Sequence, residues 1–320
     1  MSVPFNDVNG IERSRQARKA KMQEIIPGLW LGSQEALHDQ DLLERCDITY
    51  IISVMPTFID ETGVQVTRMS PEVYQYTDGG VSRLIIPAED ISTQNLLQYF
   101  PRSTEFILAA LCNDGKVLVH CLAGASRSPS VVAAFLMEVY QLSPSQAISK
   151  IRESRPFVRP IISFFDQLQV YEACGYRPLN QPVYLHWMLR LQCETEIDRP
   201  GNGLVLPSGK PLARIPTTIP YVSTETPQLI CAMCHKILAP ATYVLPLQND
   251  GGDDYYLAQP MDWMSPEFDN REHEGSLACT KCENVVGEYN WNGKRNLNGR
   301  WITPAFVLLK EFVAKSGAWE

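Results

Sequence analysis

The chain has 320 residues, of which 45% are hydrophobic and 20% charged, and it carries a net charge of −8. This length predicts two domains, and the hydrophobic and charged fractions predict a sizeable core and argue against global disorder. The acidic balance argues against a general nucleic-acid or anionic-membrane binder, and the central apolar run of seven residues is too short to span a bilayer. No charged-then-apolar leader opens the chain, and nine unevenly spaced cysteines favour a reducing compartment.

The first half of the chain alternates predicted strands and helices. Residues 1–21 are polar and basic, which indicates either a solvated tail or a localisation or nucleic-acid patch. Apolar runs then predict strands near 25–32, 48–54, 84–86 and 117–119. Periodicity and capping residues predict helices near 33–37, 93–111, 131–137, 144–154 and 161–173. This alternation is typical of an α/β fold with a central sheet flanked by helices.

The second half of the chain changes character after a predicted amphipathic helix over 183–197. Residues 198–228 contain six prolines and three glycines, which is typical of a linker. Short aromatic and apolar runs separated by turns then predict a small β-rich domain. We therefore expect one domain over 22–197, with that helix as its extension, a linker over 198–228, and a second domain over 229–320.

A cysteine lies where the predicted strand 117–119 turns into the next helix, within the stretch His120-Cys121-Leu122-Ala123-Gly124-Ala125-Ser126-Arg127-Ser128. A helix N-terminus and a nearby arginine both lower the pKa of a thiol and favour the reactive thiolate. The small residues allow the backbone N–H groups of 122–127 to surround an anion, and Arg127 adds a planar fork for two phosphate oxygens. The predicted substrate is a phosphate ester, which Cys121 attacks to give a phosphocysteine.

Such a reaction needs a group that protonates the leaving oxygen and then activates water. Asp90, in the loop after strand 84–86, is the leading candidate, and Asp78, Glu89 and Asp114 compete with it. Ser128 either donates a hydrogen bond to the cysteine sulfur or only caps the helix, and the two roles are compatible. We expect His120 to orient the loop by hydrogen bonding rather than to carry a proton.

The His-Cys-x5-Arg-Ser stretch resembles the signature of the cysteine-dependent protein phosphatases. The flanks 26–32, 87–90 and 126–130 resemble the dual-specificity branch of that family. The resemblance implies that Cys121 is the nucleophile, that Arg127 binds phosphate, that Asp90 is the general acid and that catalysis needs no cofactor. The family pattern Pro-Asn-x-Gly-Phe-x-x-Gln-Leu is only partly kept at 160–168, where Asn and Gly are replaced. Because residues 25–177 lack long insertions, we expect a shallow cleft that admits phosphoserine and phosphothreonine as well as phosphotyrosine.

Two Cys-x2-Cys pairs form a second constellation, namely Cys231, Cys234, Cys279 and Cys282. Two such pairs supply the four thiolates of a tetrahedral zinc site, and a domain this small depends on the metal to fold. Buried thiols or a redox pair are the alternatives, and His235 or His273 could substitute for a cysteine ligand. The remaining cysteines lack spacing partners and are interpreted as packed thiols: Cys46, Cys112, Cys174 and Cys193.

The stretches 260–264, 279–293 and 299–306 resemble the dual-specificity phosphatases that carry a C-terminal zinc-binding domain. This resemblance implies a role in maturation of the large ribosomal subunit, a pre-60S particle as partner, and a location in nucleus and cytoplasm. Members usually carry Cys-x-Cys before the Gly-Arg-Trp stretch, where this chain has Asn296 and Asn298. Because neutral amides are poor zinc ligands, we expect no second metal site.

Together these features predict a phosphatase of phosphoprotein substrates with a zinc domain that targets it to partners. The alternative is a ribosome-assembly or adaptor factor that acts through residues 229–320, with phosphatase activity dispensable. Action on RNA or lipid is disfavoured by the acidic charge, and we expect neither membrane association nor sequence-specific nucleic-acid binding.

Overall fold

The structure, a computed structural model, describes residues 20–59, 65–67, 74–179, 181–197, 226–247, 254–268 and 272–319. It divides into two compact units, Met1–Pro178 and Leu179–Glu320. Within the described residues, none of the helices combines the length and the apolar character that crossing a membrane requires.

A six-stranded sheet forms the centre of the first unit, in the order β1-β2-β8-β3-β7-β6. Its strands are β1 (Met22–Ile26), β2 (Leu29–Ser33), β3 (Tyr50–Val54), β6 (Tyr74–Asp78), β7 (Val81–Ile86) and β8 (Val117–Cys121), and a separate hairpin joins β4 (Thr57–Ile59) to β5 (Gln65–Thr67). The four inner strands run parallel, and the edge strands β1 and β6 pair antiparallel. All five residues of β8 are buried, as expected for an inner parallel strand covered on both faces.

Six helices surround this sheet: α1 (Gln34–Leu37), α2 (Gln40–Arg45), α3 (Phe100–Cys112), α4 (Arg127–Tyr140), α5 (Pro144–Ser154) and α6 (Ile162–Ala173). The central one is α4, which packs on the sheet and against α3, α5 and α6. Its first eleven residues, 127–137, are all buried, so the apolar run seen in the sequence is the core of this helix. The α/β architecture with a helix-flanked sheet is confirmed.

The helix predicted over 93–111 begins later than the periodicity indicates. A single 3-10 turn covers Leu97–Tyr99, and α3 follows directly. The side-chain oxygen of Gln167 in α6 accepts hydrogen bonds from the backbone N–H groups of Leu96 and Leu97, each at 2.8 Å. Because these N–H groups are bound by a distant side chain, the preceding residues are held as a loop.

The start of α5 agrees with the predicted cap. Ser143 accepts a hydrogen bond from the backbone N–H of Gln146, and the Gln146 side chain binds the N–H of Ser143 in return. This capping box, with Pro144 at the first helical position, fixes the beginning of the helix. Ser33 lies at the N-cap of α1 but makes no side-chain capping bond.

The second unit is rich in short strands. A three-stranded sheet contains β9 (Gln228–Cys231), β10 (Ile237–Pro240) and β17 (Val313–Ser316). A four-stranded sheet contains β11 (Tyr255–Tyr256), β12 (Glu274–Ala278), β13 (Val285–Asn290) and β16 (Ala305–Leu308). The hairpin β14 (Lys294–Arg295) with β15 (Trp301–Ile302) and the helices α7 (Pro182–Ile197) and α8 (Ser265–Phe268) complete it. The predicted β-rich region is therefore present.

Helix α7 differs from the expected domain division, which attached it to the first domain. The structure assigns it to the second unit, because Leu189 is buried in the same apolar cluster as Leu229 and Phe306. His186 also donates a hydrogen bond from Nε2 to the carbonyl of Pro304 at 3.0 Å. An amphipathic pattern shows that one helix face is buried, but it does not show against which domain.

The predicted linker lies mostly outside the described residues. Residues 198–225 are not among them, and β9 already begins at Gln228, the last residue assigned to the linker. The polar segment 1–19, the turn at 249–252 and the side chain of Asp78 also lie outside the described part of the chain. The apolar run 243–247 is one of those predicted to form a short strand in the second domain. It forms none: Val244 makes a single isolated antiparallel bridge to Leu257, after a 3-10 turn over Ala241–Tyr243.

Candidate active site and cysteine cluster

Cys121 is the last residue of β8, at the carboxyl edge where parallel strands leave room for a ligand. Cys121 is buried, with a relative solvent exposure of 2%. Ser128, fully buried in the first turn of α4, donates a hydrogen bond from Oγ to the Cys121 sulfur at 3.1 Å. The sulfur therefore has both a helix N-terminus and a hydroxyl donor beside it, an arrangement that stabilises a thiolate.

The loop from Cys121 to Arg127, called here the Cys–Arg loop, turns all of its central carbonyls away from its interior. The carbonyls of residues 122–126 accept hydrogen bonds from Gln34 N, Arg155 Nη2, Arg155 Nε, Arg159 N and Ser130, respectively, at 2.8–3.2 Å. In a trans peptide the N–H points opposite to the carbonyl. The N–H groups of residues 123–127 therefore point to the other side of the loop, where they can bind an anion.

Gly124 is required by the close approach of this loop to β2. Its φ is +66°, and a Cβ at this position would lie 2.5 Å from the carbonyl oxygen of Gly32. Both the left-handed conformation and the backbone contact exclude a larger side chain. The glycine thus allows the loop to curl as tightly as the sequence pattern predicts.

Arg127 is held under the loop by the ends of neighbouring strands. Its Nη1 donates to the carbonyls of Val54 at 3.3 Å and Ala88 at 3.1 Å. Its Nε is buried and has no hydrogen-bond partner among the described residues. A buried guanidinium with an unused donor next to a ring of N–H groups is suited to two oxygens of a phosphate.

The carboxylate of Asp90 lies at the Cys–Arg loop, because the hydroxyl of Ser126 donates to Asp90 Oδ1 at 2.6 Å. Of the competing carboxylates, Asp114 precedes the first residue of β8, which is on the order of 13 Å along the strand from Cys121. Glu89 is exposed, as Asp90 is, and its backbone N–H is bound by the Gln94 side chain at 2.9 Å, but only Asp90 among the described carboxylates has a hydrogen bond from Ser126 of the Cys–Arg loop. The geometry therefore favours Asp90 over these two.

His120 is buried within the sheet, where its Nε2 lies 2.7 Å from the hydroxyl of Ser53 on β3. Burial lowers the pKa of His120 to about 4. The imidazole is therefore neutral near pH 7 and cross-links two strands next to the loop. This geometry agrees with an orienting role.

Two supporting residues were not assigned a role from the sequence. Arg155 is 1% exposed and donates to the loop carbonyls of Ala123 and Gly124. Burial lowers the pKa of Arg155 to about 10, so the guanidinium remains charged at neutral pH. Gln167, besides binding Leu96 and Leu97, donates to the carbonyl of Gln94 at 2.9 Å and so fixes the segment that follows Asp90. In the sequence, Gln167 is marked only as part of the Gln-Leu pair that this chain shares with the family pattern. No sequence feature distinguishes Arg155 from its neighbours.

The four cysteines of the second unit converge in space. Their sulfur atoms all lie within 4.8 Å of one another, with 3.6 Å between Cys231 and Cys282 and 3.5 Å between Cys234 and Cys279. Four sulfurs about 2.3 Å from a tetrahedral zinc ion are about 3.8 Å apart, so the cluster fits this metal. Among the described residues, no other group of three or more His, Cys, Asp or Glu side chains comes together in this way.

The two pairs have the same local turn. In each, the first cysteine N–H donates to the carbonyl five residues on, and its own carbonyl accepts from the residue four positions on. That fourth residue is left-handed in both turns, with φ of 59° at His235 and 62° at Glu283. The backbone N–H of Asn284 lowers the pKa of Cys282 to about 6, whereas burial raises the pKa of Cys234 to about 12, so without a metal the negative charge of the cluster is held on Cys282.

Asn296 and Asn298 lie in the turn between β14 and β15. Asn296 is buried, and its side-chain oxygen accepts a hydrogen bond from the backbone N–H of Arg300 at 2.8 Å. The amide thus closes the turn.

Of the isolated cysteines, Cys174 is buried, Cys46 is half-buried and Cys112 is exposed at the end of α3, so the prediction of a packed thiol is wrong for Cys112. Cys193 has no described side chain.

Comparison with known proteins shows the family to which the chain is similar. A family model described as "Dual specificity phosphatase, catalytic domain" matches residues 29–174. "Tyrosine-protein phosphatase yvh1" of Schizosaccharomyces pombe is 34% identical over 244 residues, which cover 72% of this chain and 70% of that protein. "Dual specificity protein phosphatase 12" of Mus musculus is 31% identical over 316 residues, covering 91% of this chain and 87% of that protein.

A solved structure, the Yvh1 phosphatase domain from Chaetomium thermophilum, is 26% identical and covers 47% of this chain and 93% of its own, with a TM-score of 0.39. The family model falls on the first unit, which holds Cys121 and Arg127, whereas the curated relatives extend into the second. The chain belongs to the dual-specificity protein phosphatases related to Yvh1 and dual specificity protein phosphatase 12.

Proposed function

We propose that the chain hydrolyses phosphotyrosine, phosphoserine and phosphothreonine in protein substrates through a phosphocysteine on Cys121. The observation that carries this proposal is the hydrogen bond of 2.6 Å that brings the Asp90 carboxylate to the Cys–Arg loop. It unites a nucleophile, an anion site and a proton carrier at one edge of the sheet. These are the groups that a two-step phosphate transfer needs.

In the first step the Cys121 thiolate attacks phosphorus, and the sulfur–phosphorus bond forms as the bond to the substrate oxygen breaks. Arg127 and the N–H groups of residues 123–127 stabilise the charge on the three phosphoryl oxygens. Asp90 gives its proton to the departing oxygen. His120 is neutral and orients the loop without transferring a proton.

In the second step the Asp90 carboxylate takes a proton from water, whose oxygen bonds to phosphorus. The sulfur–phosphorus bond breaks and the thiolate returns. The Ser128 hydroxyl, 3.1 Å from the sulfur, stabilises this leaving thiolate by donating a hydrogen bond. Inorganic phosphate is released, and the enzyme regains its starting state.

The test is hydrolysis of phosphotyrosine and phosphothreonine peptides by purified full-length protein. We expect Cys121→Ser to lower kcat on the order of 10³-fold or more, because the alcohol is a far weaker nucleophile than the thiolate. Cys112→Ser is the matched control, because this exposed thiol lies at the end of α3. Equal rates for wild type and Cys121→Ser would disprove the phosphocysteine.

We also propose that Cys231, Cys234, Cys279 and Cys282 hold one structural zinc ion. The sulfur spacing and the paired turns support this assignment, whereas the Asn296 oxygen is already used within its own turn. When bound, the ion supplies a cross-link between the two turns, and their residues fold around it. Metal analysis of the full chain should give one zinc per chain, and two would refute the single site.

We further propose that the second unit targets the enzyme to a partner, with a pre-60S ribosomal particle expected and a location in nucleus and cytoplasm. The resemblance over 279–306 and the relatives that cover both units support this proposal. The competing function is an assembly or adaptor factor for which phosphatase activity is dispensable.

Complementation of cells that lack the protein separates the two functions. The variants to compare are Cys121→Ser and the Cys231→Ser, Cys234→Ser double variant, with expression of each checked by immunoblot. A defect in both variants supports a targeted phosphatase. A defect in the zinc-site variant alone supports the adaptor, and sedimentation of the wild type away from 60S precursors would contradict the ribosomal partner.

A further inference from the structure

Ser126 occupies the N-cap position of α4 but does not cap it. A serine at this position normally accepts a hydrogen bond from a backbone N–H of the first helical turn, which stabilises the helix. Here the Ser126 side chain makes no such bond. Its buried hydroxyl lies instead 2.6 Å from Asp90 Oδ1 and 3.2 Å from the backbone nitrogen of Ile161.

These two contacts fix the direction of the hydroxyl proton. The Ile161 N–H can only donate, so it binds a lone pair of the Ser126 oxygen. The Asp90 carboxylate oxygen accepts, so Ser126 donates its proton to Oδ1. Among the described residues, the Ser126 hydroxyl is the group that donates a hydrogen bond to the Asp90 carboxylate. The side chain of an otherwise exposed loop residue is thereby held at the Cys–Arg loop.

Ile161, which binds Ser126, lies where this chain departs from the family pattern. Residues 160–168 lack the asparagine and glycine of the family pattern, and Ile161 occupies the asparagine position. The backbone N–H of Ile161 nevertheless reaches the serine hydroxyl, at the residue that precedes α6. The support comes from the main chain, so it does not depend on the side chain at 161.

We propose that Ser126 is a positioning residue that orients Asp90 for proton transfer to the leaving group. With Oδ1 bound to Ser126, Oδ2 carries the proton and is the oxygen that faces the leaving group. This inference rests on the proposed role of Asp90 as the proton donor. Without the bond, the carboxyl group rotates freely on an exposed loop, and ordering it at each turnover costs roughly 1–1.5 kcal/mol, about a tenfold loss of rate.

The expected signature is a dependence on the leaving group. Departure of para-nitrophenolate needs little protonation, whereas departure of phenolate needs it strongly, so only the second substrate reports on Asp90 orientation. We expect Ser126→Ala to lower kcat/KM for phenyl phosphate about tenfold more than for para-nitrophenyl phosphate. A role confined to loop structure would lower both to the same extent.

Ser130→Ala is the matched control. Ser130 is also a buried serine in the first turn of α4, and its hydroxyl donates to the Ser126 carbonyl at 2.8 Å without contacting Asp90. Its loss should affect the two substrates equally. Equal losses for Ser126→Ala as well would overturn the positioning role, even if the variant is partly destabilised, because the ratio of the two substrates is measured on the same preparation.

Asp90→Asn separates this inference from the proposed function. A steep leaving-group dependence in Asp90→Asn combined with equal losses in Ser126→Ala overturns the inference alone. If Asp90→Asn also shows equal losses, Asp90 is not the proton donor and both proposals fail. The double variant should show the same leaving-group dependence as Asp90→Asn alone, because the asparagine has no acidic proton for Ser126 to position.

Discussion

At the scale of single residues, the site is built from buried side chains that hydrogen-bond to specific neighbouring groups. Cys121, Ser128 and Arg127 lie within the end of one strand and the first turn of one helix. His120 is different, because it is a buried titratable group whose charged form has no compensating carboxylate in the contacts around it. Its burial therefore links protonation to folding.

The His120 linkage predicts acid sensitivity. Its pKa of about 4 in the folded chain lies below the ordinary value of 6.5, so between these values the unfolded chain binds a proton that the folded chain does not. The free energy of unfolding therefore falls as the pH drops through that window, by about 3 kcal/mol in total at 1.36 kcal/mol per pKa unit. Above pH 6.5 this contribution is constant.

The measurement is urea denaturation of wild type and His120→Gln at several values between pH 7.5 and 4.5. Glutamine keeps a polar group for Ser53 but does not titrate, so the pH-dependent part of the unfolding free energy should shrink in this variant. Parallel pH profiles for His120→Gln and wild type would rule out the linkage.

At the scale of elements, the Cys–Arg loop is shaped by groups that bind its outer carbonyls. Three of these groups come from the end of α5 and the residues after it, namely the Arg155 Nε, the Arg155 Nη2 and the Arg159 N–H. The loop is therefore an extension of the contact between α4 and α5 rather than an independent segment. Its anion site depends on a side chain that does not face the substrate.

Arg155→Met is predicted to weaken anion binding. The loop carbonyls of Ala123 and Gly124 would lose charged donors, and such bonds contribute about 1.5–3 kcal/mol each when buried, as the one to Gly124 is. We expect the inhibition constant for vanadate to rise at least tenfold, together with a lower midpoint of thermal unfolding. Arg152→Met is the control, because Arg152 is an exposed residue in the last turn of α5 whose Nε donates instead to the carbonyl of Val158 at 2.9 Å. Unchanged vanadate inhibition in Arg155→Met would show that the loop keeps its shape without Arg155.

At the scale of the whole molecule, two units with separate cores are stabilised in different ways. The first has a continuous sheet and a buried central helix, whereas the second combines short strands around an apolar cluster that includes two of the four cysteines. The zinc ion proposed for the four cysteines would supply much of the stability of such a unit. Loss of zinc should therefore act on one unit only.

Zinc removal is predicted to separate the two units in a thermal scan. A strong chelator, or the Cys231→Ser, Cys234→Ser variant, should abolish one unfolding transition and leave the other. Hydrolysis of para-nitrophenyl phosphate should persist, since none of the four cysteines belongs to the unit that holds Cys121. A single transition that shifts as a whole, with parallel loss of hydrolysis, would show that the first unit depends on the metal.

The parts of the fold that the sequence predicts are those encoded by neighbours in the chain. The apolar run before Cys121, the small residues up to Arg127 and the Ser143 cap each carry a local pattern. The cysteine spacing likewise predicts a cluster. Arg155 and Gln167 could not be assigned, because the partners of their side chains at the site lie 31 to 73 residues away in the chain and leave no periodic signal. The same reason explains why the sequence assigned α7 to the wrong domain: its apolar face packs on residues of the second unit that are distant in the chain.

The outward orientation of the loop carbonyls has a consequence for selectivity. Peptide N–H groups bind the oxygen atoms of an anion according to their negative charge and spacing, and they do not contact its central atom. The product, inorganic phosphate, presents the same oxygens as the substrate and should inhibit competitively. Vanadate, which adopts five-coordinate geometry at its centre, should inhibit more strongly because it resembles the transition state. Discrimination among cellular substrates must then come from surfaces beyond the oxyanion pocket.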